Sequence, residues 1–318
     1  MKQRRDSLER TQSSLGPWAA PLLLALVAWL APFQVAAQAA AQVAAAKSAD
    51  PRRPVFLWEV RSQSATVYLM GSIHVASGDA YPLDARIEHV FQAADTLVLE
   101  TEMDESAQVR VAALMRKAGT YTPPDSLEHH IDAPTLARLS KSLSGMGLPL
   151  EAFMSMRPWM VSLTLTLARL QALGYRPELG IDQHFRSTAA GKKLLALETL
   201  DEQVALFRDM PESMQSAALR QSLDDLEDLH GLMQRAFEAW REGDASALEK
   251  LLVAPIRTAY PDLYRRLFVE RNRRMADAVE TYLKSKGTYF VVVGSGHLVG
   301  SDSVLHLLQS RGRKTRQL

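Results

Sequence analysis

Cysteine is absent from the chain. Without a thiol there are no disulfides, no thiolate metal ligands, no cysteine nucleophile and no cysteine for lipid attachment. Any bound metal must rest on histidine, carboxylate or other oxygen ligands, which points away from soft-metal sites. An excess of charge is missing too, since 37 Lys and Arg stand against 36 Asp and Glu. A balanced chain offers no broad basic face, so nucleic acid is not expected as a partner. The two local basic runs, RNRR at 271–274 and RGRKTR near the C-terminus, read as a solvated helix face and a frayed end. Several catalytic signatures are also missing. There is no HExxH, no Gly-x-Ser-x-Gly elbow, no phosphate loop and no dinucleotide fingerprint, and those enzyme classes are not supported.

Long apolar runs are scarce. One stands out, WAAPLLLALVAWLAPF at 18–33, behind a charged start (MKQRRDSLER) and ahead of small residues (VAAQAAAQVAAA). That layout predicts a secretory signal peptide over 1–37, with Ala37 and Ala39 as the candidate cleavage positions. The run falls short of the ~20 residues that span a bilayer, so no stable membrane span is expected after cleavage. A polar linker follows at 38–54, ending in DPRRP, and the remainder, 55–318, reads as one domain. The expected location is periplasmic or secreted.

What the domain does contain is an ordered alternation. FLWEVRSQSATVYLMG reads as a hairpin, YPLDARIEHVFQAA as an amphipathic helix and DTLVLETEM as a short buried strand ending in carboxylates. A mostly helical stretch follows, interrupted by GKKLLALET, which reads as a further short strand. TYFVVV and SVLHLLQS close the chain as strand and helix. The fold class expected is therefore α/β: a mixed central sheet with strands near both ends of the chain and a large helical insertion.

Two stretches repeat one pattern. TVYLMGSIHV (66–75) and TYFVVVGSGHL (288–298) each run a β-rich segment into Gly-Ser-x-His. With 16 Gly and 8 His, chance places fewer than one Gly-x-x-His in the chain, so two after strands point to a shared purpose. Glycine at a strand end permits close backbone approach, and ligand sites of open α/β sheets lie just outside the carboxyl ends of the strands. His74 and His297 would project there. Glu100 ends TLVLE, Glu102 follows two residues on, and Glu198 ends LLALE. If these strand ends share one edge, imidazoles and carboxylates converge on a site able to hold a divalent cation and activate water, or to do metal-free acid/base work. His184, near a Gly-Ile-Asp turn, is a further candidate for the cleft. His129 and His130, being adjacent, are expected to face apart, and His89, His230 and His306 to be surface or packing residues.

In order along the chain, GSIHVA, LVLETEMD, GIDQHF, LALET, ERNRRMA and GSGHLVG resemble the TraB/GumN/Tiki family over roughly 55–310. The resemblance implies a fold related to erythromycin-esterase-like and haem-binding ChaN-like proteins. Because animal Tiki members are metal-dependent proteases, it implies an exported metal-dependent hydrolase, a peptidase using Mn, Co or Zn, with a peptide or small molecule as substrate. It places His74, His297 and Glu100 as metal ligands, and Glu100, Glu198, Asp182, Arg271 and Asn272 as catalytic residues. Arg271 would balance carboxylate charge or grip a substrate carbonyl or carboxylate. Asp182 would also cap a helix beginning at Gln183. Two alternatives remain: a metal-independent His/Glu hydrolase of erythromycin-esterase type, and a non-enzymatic periplasmic binder of haem or a peptide.

Overall fold

The computed structural model describes residues 53–102 and 104–318, so the expected signal peptide and most of the linker lie outside the described residues. Six strands form one mixed sheet in the order β4-β3-β5-β2-β1-β6. They are β1 (Leu57–Arg61), β2 (Ala65–Ser72), β3 (Thr96–Leu99), β4 (Lys193–Ala196), β5 (Gly287–Gly294) and β6 (Thr315–Gln317). The fold is α/β as expected, and β4 splits the helical insertion.

The central strands are apolar almost throughout. β3 is buried at every position, and the last five residues of β5 are buried. Such continuous burial suits parallel strands covered on both faces. β5, arriving late in the chain, inserts between β2 and β3 and runs parallel to both. β4 lies parallel to β3 at the outer edge. Four strands therefore point one way, and their carboxyl ends share one edge. β1 returns on β2 as the expected hairpin, closed by Ser62, whose Oγ accepts the Ala65 N–H at 3.0 Å.

The C-terminal basic run is not frayed. Its last residues form β6, which pairs antiparallel with β1. Arg316 donates to Glu59 at 3.0 Å and Arg313 to Glu280 at 2.6 Å, so the strand hydrogen bonds and these ion pairs hold the end down. Nor is RNRR wholly a solvated face. Arg271 and Asn272, in the helix Glu270–Leu283, are buried, while Arg273 and Arg274 are exposed. The local period of the helix turns the first two residues onto the sheet edge and the next two outward.

Candidate active site

Each strand end delivers one group to a common place. His74 and Glu100 follow β2 and β3, Glu198 follows β4, and His297 lies in the short turn Ser295–Leu298 after β5. All four are buried. The second-position serine of the repeated pattern explains part of the geometry. Ser295 Oγ donates to the Ser72 carbonyl at 2.9 Å, tying the two strand ends together. Gly294 leaves room for both: a Cβ there would lie 3.3 Å from Glu100 Oε1 and 3.4 Å from His74 Nε2, tight enough to push the carboxylate aside. Its own N–H donates to Glu100 Oε1 at 2.5 Å.

The two imidazoles face the same carboxylate oxygen. His74 Nε2 lies 4.0 Å, and His297 Nε2 3.9 Å, from Glu100 Oε1. Each ring is held from behind. His74 Nδ1 donates to Asp182 Oδ1 at 3.1 Å. His297 Nδ1 meets Asn272 Oδ1 at 2.5 Å, while Asn272 Nδ2 donates to the Asp302 carbonyl at 2.8 Å. That second bond sets the amide: a flipped Asn272 would turn its oxygen onto a carbonyl oxygen. His297 therefore carries its proton on Nδ1 and presents the Nε2 lone pair to the site. Asp182 sits in the first turn of the helix Ile181–Ser187, whose N-cap is Gly180, so it serves His74 rather than capping a helix at Gln183. Gly180 is needed because any Cβ would collide with the His74 carbonyl.

Arg271 lies behind Glu100. Its guanidinium reaches Glu100 Oε2 and Glu198 Oε2, each at 2.6 Å from Nη2, and its Nε donates to Glu198 Oε1 at 2.9 Å. Only 1% of Arg271 is exposed. This is the charge-balancing arrangement; the guanidinium is walled off from any substrate. Arg274 adds a bond to Glu198 Oε1 at 3.2 Å. Arg271 lies two residues after a π-helical segment, Arg265–Val269, and its Nη1 donates to the Leu267 carbonyl at 3.3 Å. Gln203, which sequence reasoning missed, bridges both carboxylates through Nε2 at 3.2 and 3.3 Å. Its signal was a glutamine one turn into the helix that follows Glu198.

The charges follow from these contacts. Burial pulls the His74 pKa down, but Asp182 and Glu100 outweigh it and push it up to about 9. Burial and Arg271 push His297 down to about 4. Burial raises the Glu100 pKa, yet Arg271, both imidazoles and the Gly294 N–H outweigh it and take it to about 2. The carboxylates raise the pKa of Arg271 against the pull of its own burial. At neutral pH the metal-free site thus holds one imidazolium, one neutral imidazole and an ionised Glu100. A small pocket of about 30 Å³ opens beside them, lined by Ser72, His74 and His297 and walled by Met233, Leu252 and Phe268. That is room for about one water. The Ser72 hydroxyl on this pocket is buried and has no hydrogen-bond partner.

Other candidates fall elsewhere. Glu102 is exposed and pairs with Arg110, because β3 stops at Leu99 and the strand face does not continue. His184 bonds Glu88 Oε1 at 2.7 Å, half-buried. His129 and His130 do not face apart: both reach the Asp125 carboxylate, at 3.1 and 2.9 Å, because a tight turn rather than a strand carries them. His89, His230 and His306 are exposed.

As a donor set, two Nε2 atoms and a carboxylate oxygen suit a borderline divalent cation, and anchoring each Nδ1 through a hydrogen bond is how metal-bound histidines are oriented. The spacing is open. Metal–ligand bonds of ~2.0–2.1 Å place tetrahedral ligands ~3.4 Å apart, against the 4.0 and 3.9 Å here. Among the described residues no group of three His, Asp or Glu side chains closes to metal-site spacing. The residues suit such an ion by donor chemistry and by the anchored orientation of both rings, while both imidazole–carboxylate spacings are wider than those of a bound site.

Fold and site together define an α/β protein whose four parallel strands carry two histidines and two glutamates to one buried edge. The chain belongs to the TraB/PrgY/gumN family, whose model matches residues 56–317. It is similar to the uncharacterised protein YbaP of Escherichia coli, 26% identical over 244 residues, covering 76% of this chain and 87% of that protein. An uncharacterised protein of Treponema pallidum is 25% identical over 279 residues, with 80% of each covered. A metalloprotease TIKI homolog of the sponge Amphimedon queenslandica is 22% identical over 317 residues, covering 83% of this chain and 61% of that protein. No solved structure matches. The family and this distant metalloprotease relative weakly suggest a hydrolase.

Proposed function

We propose that the protein is an exported hydrolase that cleaves peptide bonds with the help of a divalent cation held by His74, His297 and Glu100. The observation that carries this reading is the pair of Nε2 atoms facing one Glu100 oxygen, each ring anchored through Nδ1. When bound, the cation would polarise the scissile carbonyl and lower the pKa of a water. The chain's own residues prepare the place. Asp182 and Asn272 orient the imidazoles. Arg271 bridges Glu100 and Glu198 and keeps Glu100 ionised, and Gln203 fixes the relative position of the two carboxylates. Glu198 has both oxygens occupied by guanidinium and amide donors, which suits it to balancing charge. Glu100 is the carboxylate that faces the imidazoles. Met233, Leu252 and Phe268 exclude bulk water from one side.

Metal-free hydrolysis is a second reading, favoured by the opposite protonation of the two histidines. His74 would donate a proton to the leaving group and His297 would accept one from water. A peptide library incubated with the purified mature chain separates the two. Cleavage abolished by EDTA and restored by Mn, Co or Zn supports the first reading. Cleavage that survives exhaustive chelation but disappears in His74→Ala supports the second. No cleavage under either condition ends both.

Export rests on residues 1–37. Among the described residues no helix is long and apolar enough to cross a membrane.

A further inference from the structure

A second groove lies apart from the pocket beside the histidines. It has a volume of about 720 Å³ and runs along β4 at the outer edge of the sheet. Leu194, Leu195, Ala196 and Leu197 line it consecutively. Alternate residues of a strand face opposite sides, so a groove touched by four in a row must follow the strand's edge. The ladder from β4 to β3 uses the backbone of Lys193, Leu195 and Leu197, with Lys193 N–H donating to Asp95 and Leu197 N–H to Leu99. Leu194 and Ala196 therefore turn their N–H and C=O groups outward into the groove. An apolar, flat, unpaired edge of this kind is a hazard unless something covers it. The two exposed large hydrophobics among the described residues, Leu194 (42%) and Val109 (69%), belong to β4 and to the helix Glu105–Gly119. Arg110 and Leu114 of that helix form the facing wall. The rim is acidic: Glu102, Asp104, Asp201 and Glu202 join Glu198, against Arg110 and Arg186. Glu198 lines this groove and also holds Arg271 at the site.

We infer that this edge binds an extended cationic peptide, which adds to β4 as a further strand through the outward groups of Leu194 and Ala196. The inference rests on the hydrolase reading for its setting and names the substrate class: an unfolded, Lys- or Arg-bearing segment, held by backbone hydrogen bonds, whose side chains alternate between the apolar floor and the acidic rim. Backbone pairing explains why the strand is left uncovered. Charge selects the sequence. Glu198 marks the end of the groove that meets the buried site.

The test is fluorescence anisotropy with the full mature chain in EDTA and a labelled heptapeptide alternating Lys and Val, its integrity checked by mass spectrometry. Saturable binding is expected. At least tenfold weaker binding is expected for the same peptide with Glu in place of Lys, for the peptide N-methylated at alternate residues, and for Leu194→Pro. That substitution removes an outward N–H but none of the ladder to β3. Equal affinity for the N-methylated or the acidic peptide overturns the inference, as does no binding at all, or full binding by a folded Leu194→Pro. If Leu194→Pro does not fold, the N-methylated peptide on the wild-type chain decides alone. A wild-type dimer that Leu194→Pro turns into a monomer assigns the edge to a second copy and overturns it too. Because chelator is present, binding can succeed where metal-dependent cleavage fails, and the reverse.

Discussion

Replacing Arg271 by Met tests the electrostatic core of the site. The guanidinium is buried and satisfies both Glu100 and Glu198. Met fills similar volume but leaves two carboxylates buried against each other. Removing one partner of a buried ion pair typically costs about 3–5 kcal/mol, because the survivor keeps its desolvation penalty. Here Gln203 still reaches both carboxylates, but only Glu198 keeps a guanidinium, that of Arg274, so the low end applies to Glu198 and the loss falls mainly on Glu100. For a domain of this size each kcal/mol lowers the melting temperature by about 2–4 °C, so a fall of roughly 6–20 °C is expected near pH 7. The pH dependence adds a check. Arg271 is the foremost group holding the Glu100 pKa down at about 2. Without it that pKa rises, Glu100 can take a proton in mild acid, and the penalty shrinks. The gap between wild type and Arg271→Met should therefore narrow from pH 7 to pH 4.5 in thermal melts followed by circular dichroism. An unchanged melting temperature at pH 7, or a gap that widens in acid, refutes the reasoning.

The metal-free wild type should be most stable near pH 6.5. His74, raised to about 9, contributes stability that is full below 6.5 and lost as pH climbs through 9, while His297, lowered to about 4, and Glu100, lowered to about 2, lose theirs as pH falls. The His74 limb is worth on the order of 3 kcal/mol. Asp182→Asn should flatten that alkaline limb, and a profile flat between pH 6.5 and 9 in wild type contradicts it. Cation binding near pH 7.5 should displace the His74 proton, so calorimetry in buffers of different ionisation enthalpy should register about one proton released; none released argues against His74 as a ligand. Asn272→Ala should weaken metal binding by ~10- to 100-fold through loss of the His297 tautomer, with Asn272→Asp restoring part of it because an acceptor again faces Nδ1, although its second oxygen then meets the Asp302 carbonyl. Equal weakening in both variants would mean that Asn272 acts by packing alone.

Much of the site was legible because parallel strands share an edge. TVYLMG and TYFVVVG declare themselves as strands by β-branched and aromatic content, the glycines mark where they stop, and whatever follows must project from the carboxyl end. His74, His297, Glu100 and Glu198 came from that logic. What local pattern could not supply was the register of separate elements. Gln203 joins the carboxylates only because the helix Leu200–Arg208 brings its amide back to Glu100 and Glu198. Asn272 depends on the Asp302 carbonyl, 30 residues away, to set its amide. RNRR looked solvated because a run of like charge usually is, yet two buried glutamates draw its first residue inward. RGRKTR looked frayed because its strand partner, β1, lies at the other end of the described chain. Glu102 was lost to a strand one turn too short to carry it.

The most direct measurement is the metal content of the purified mature chain beside its His74→Ala/His297→Ala double variant, by mass spectrometry after loading with Mn, Co or Zn and desalting. One equivalent in the wild type and none in a double variant that still melts cooperatively is the predicted result. Equal metal in both proteins, or none in either, would contradict the claim that the two strand-end imidazoles and Glu100 form one ion-binding site.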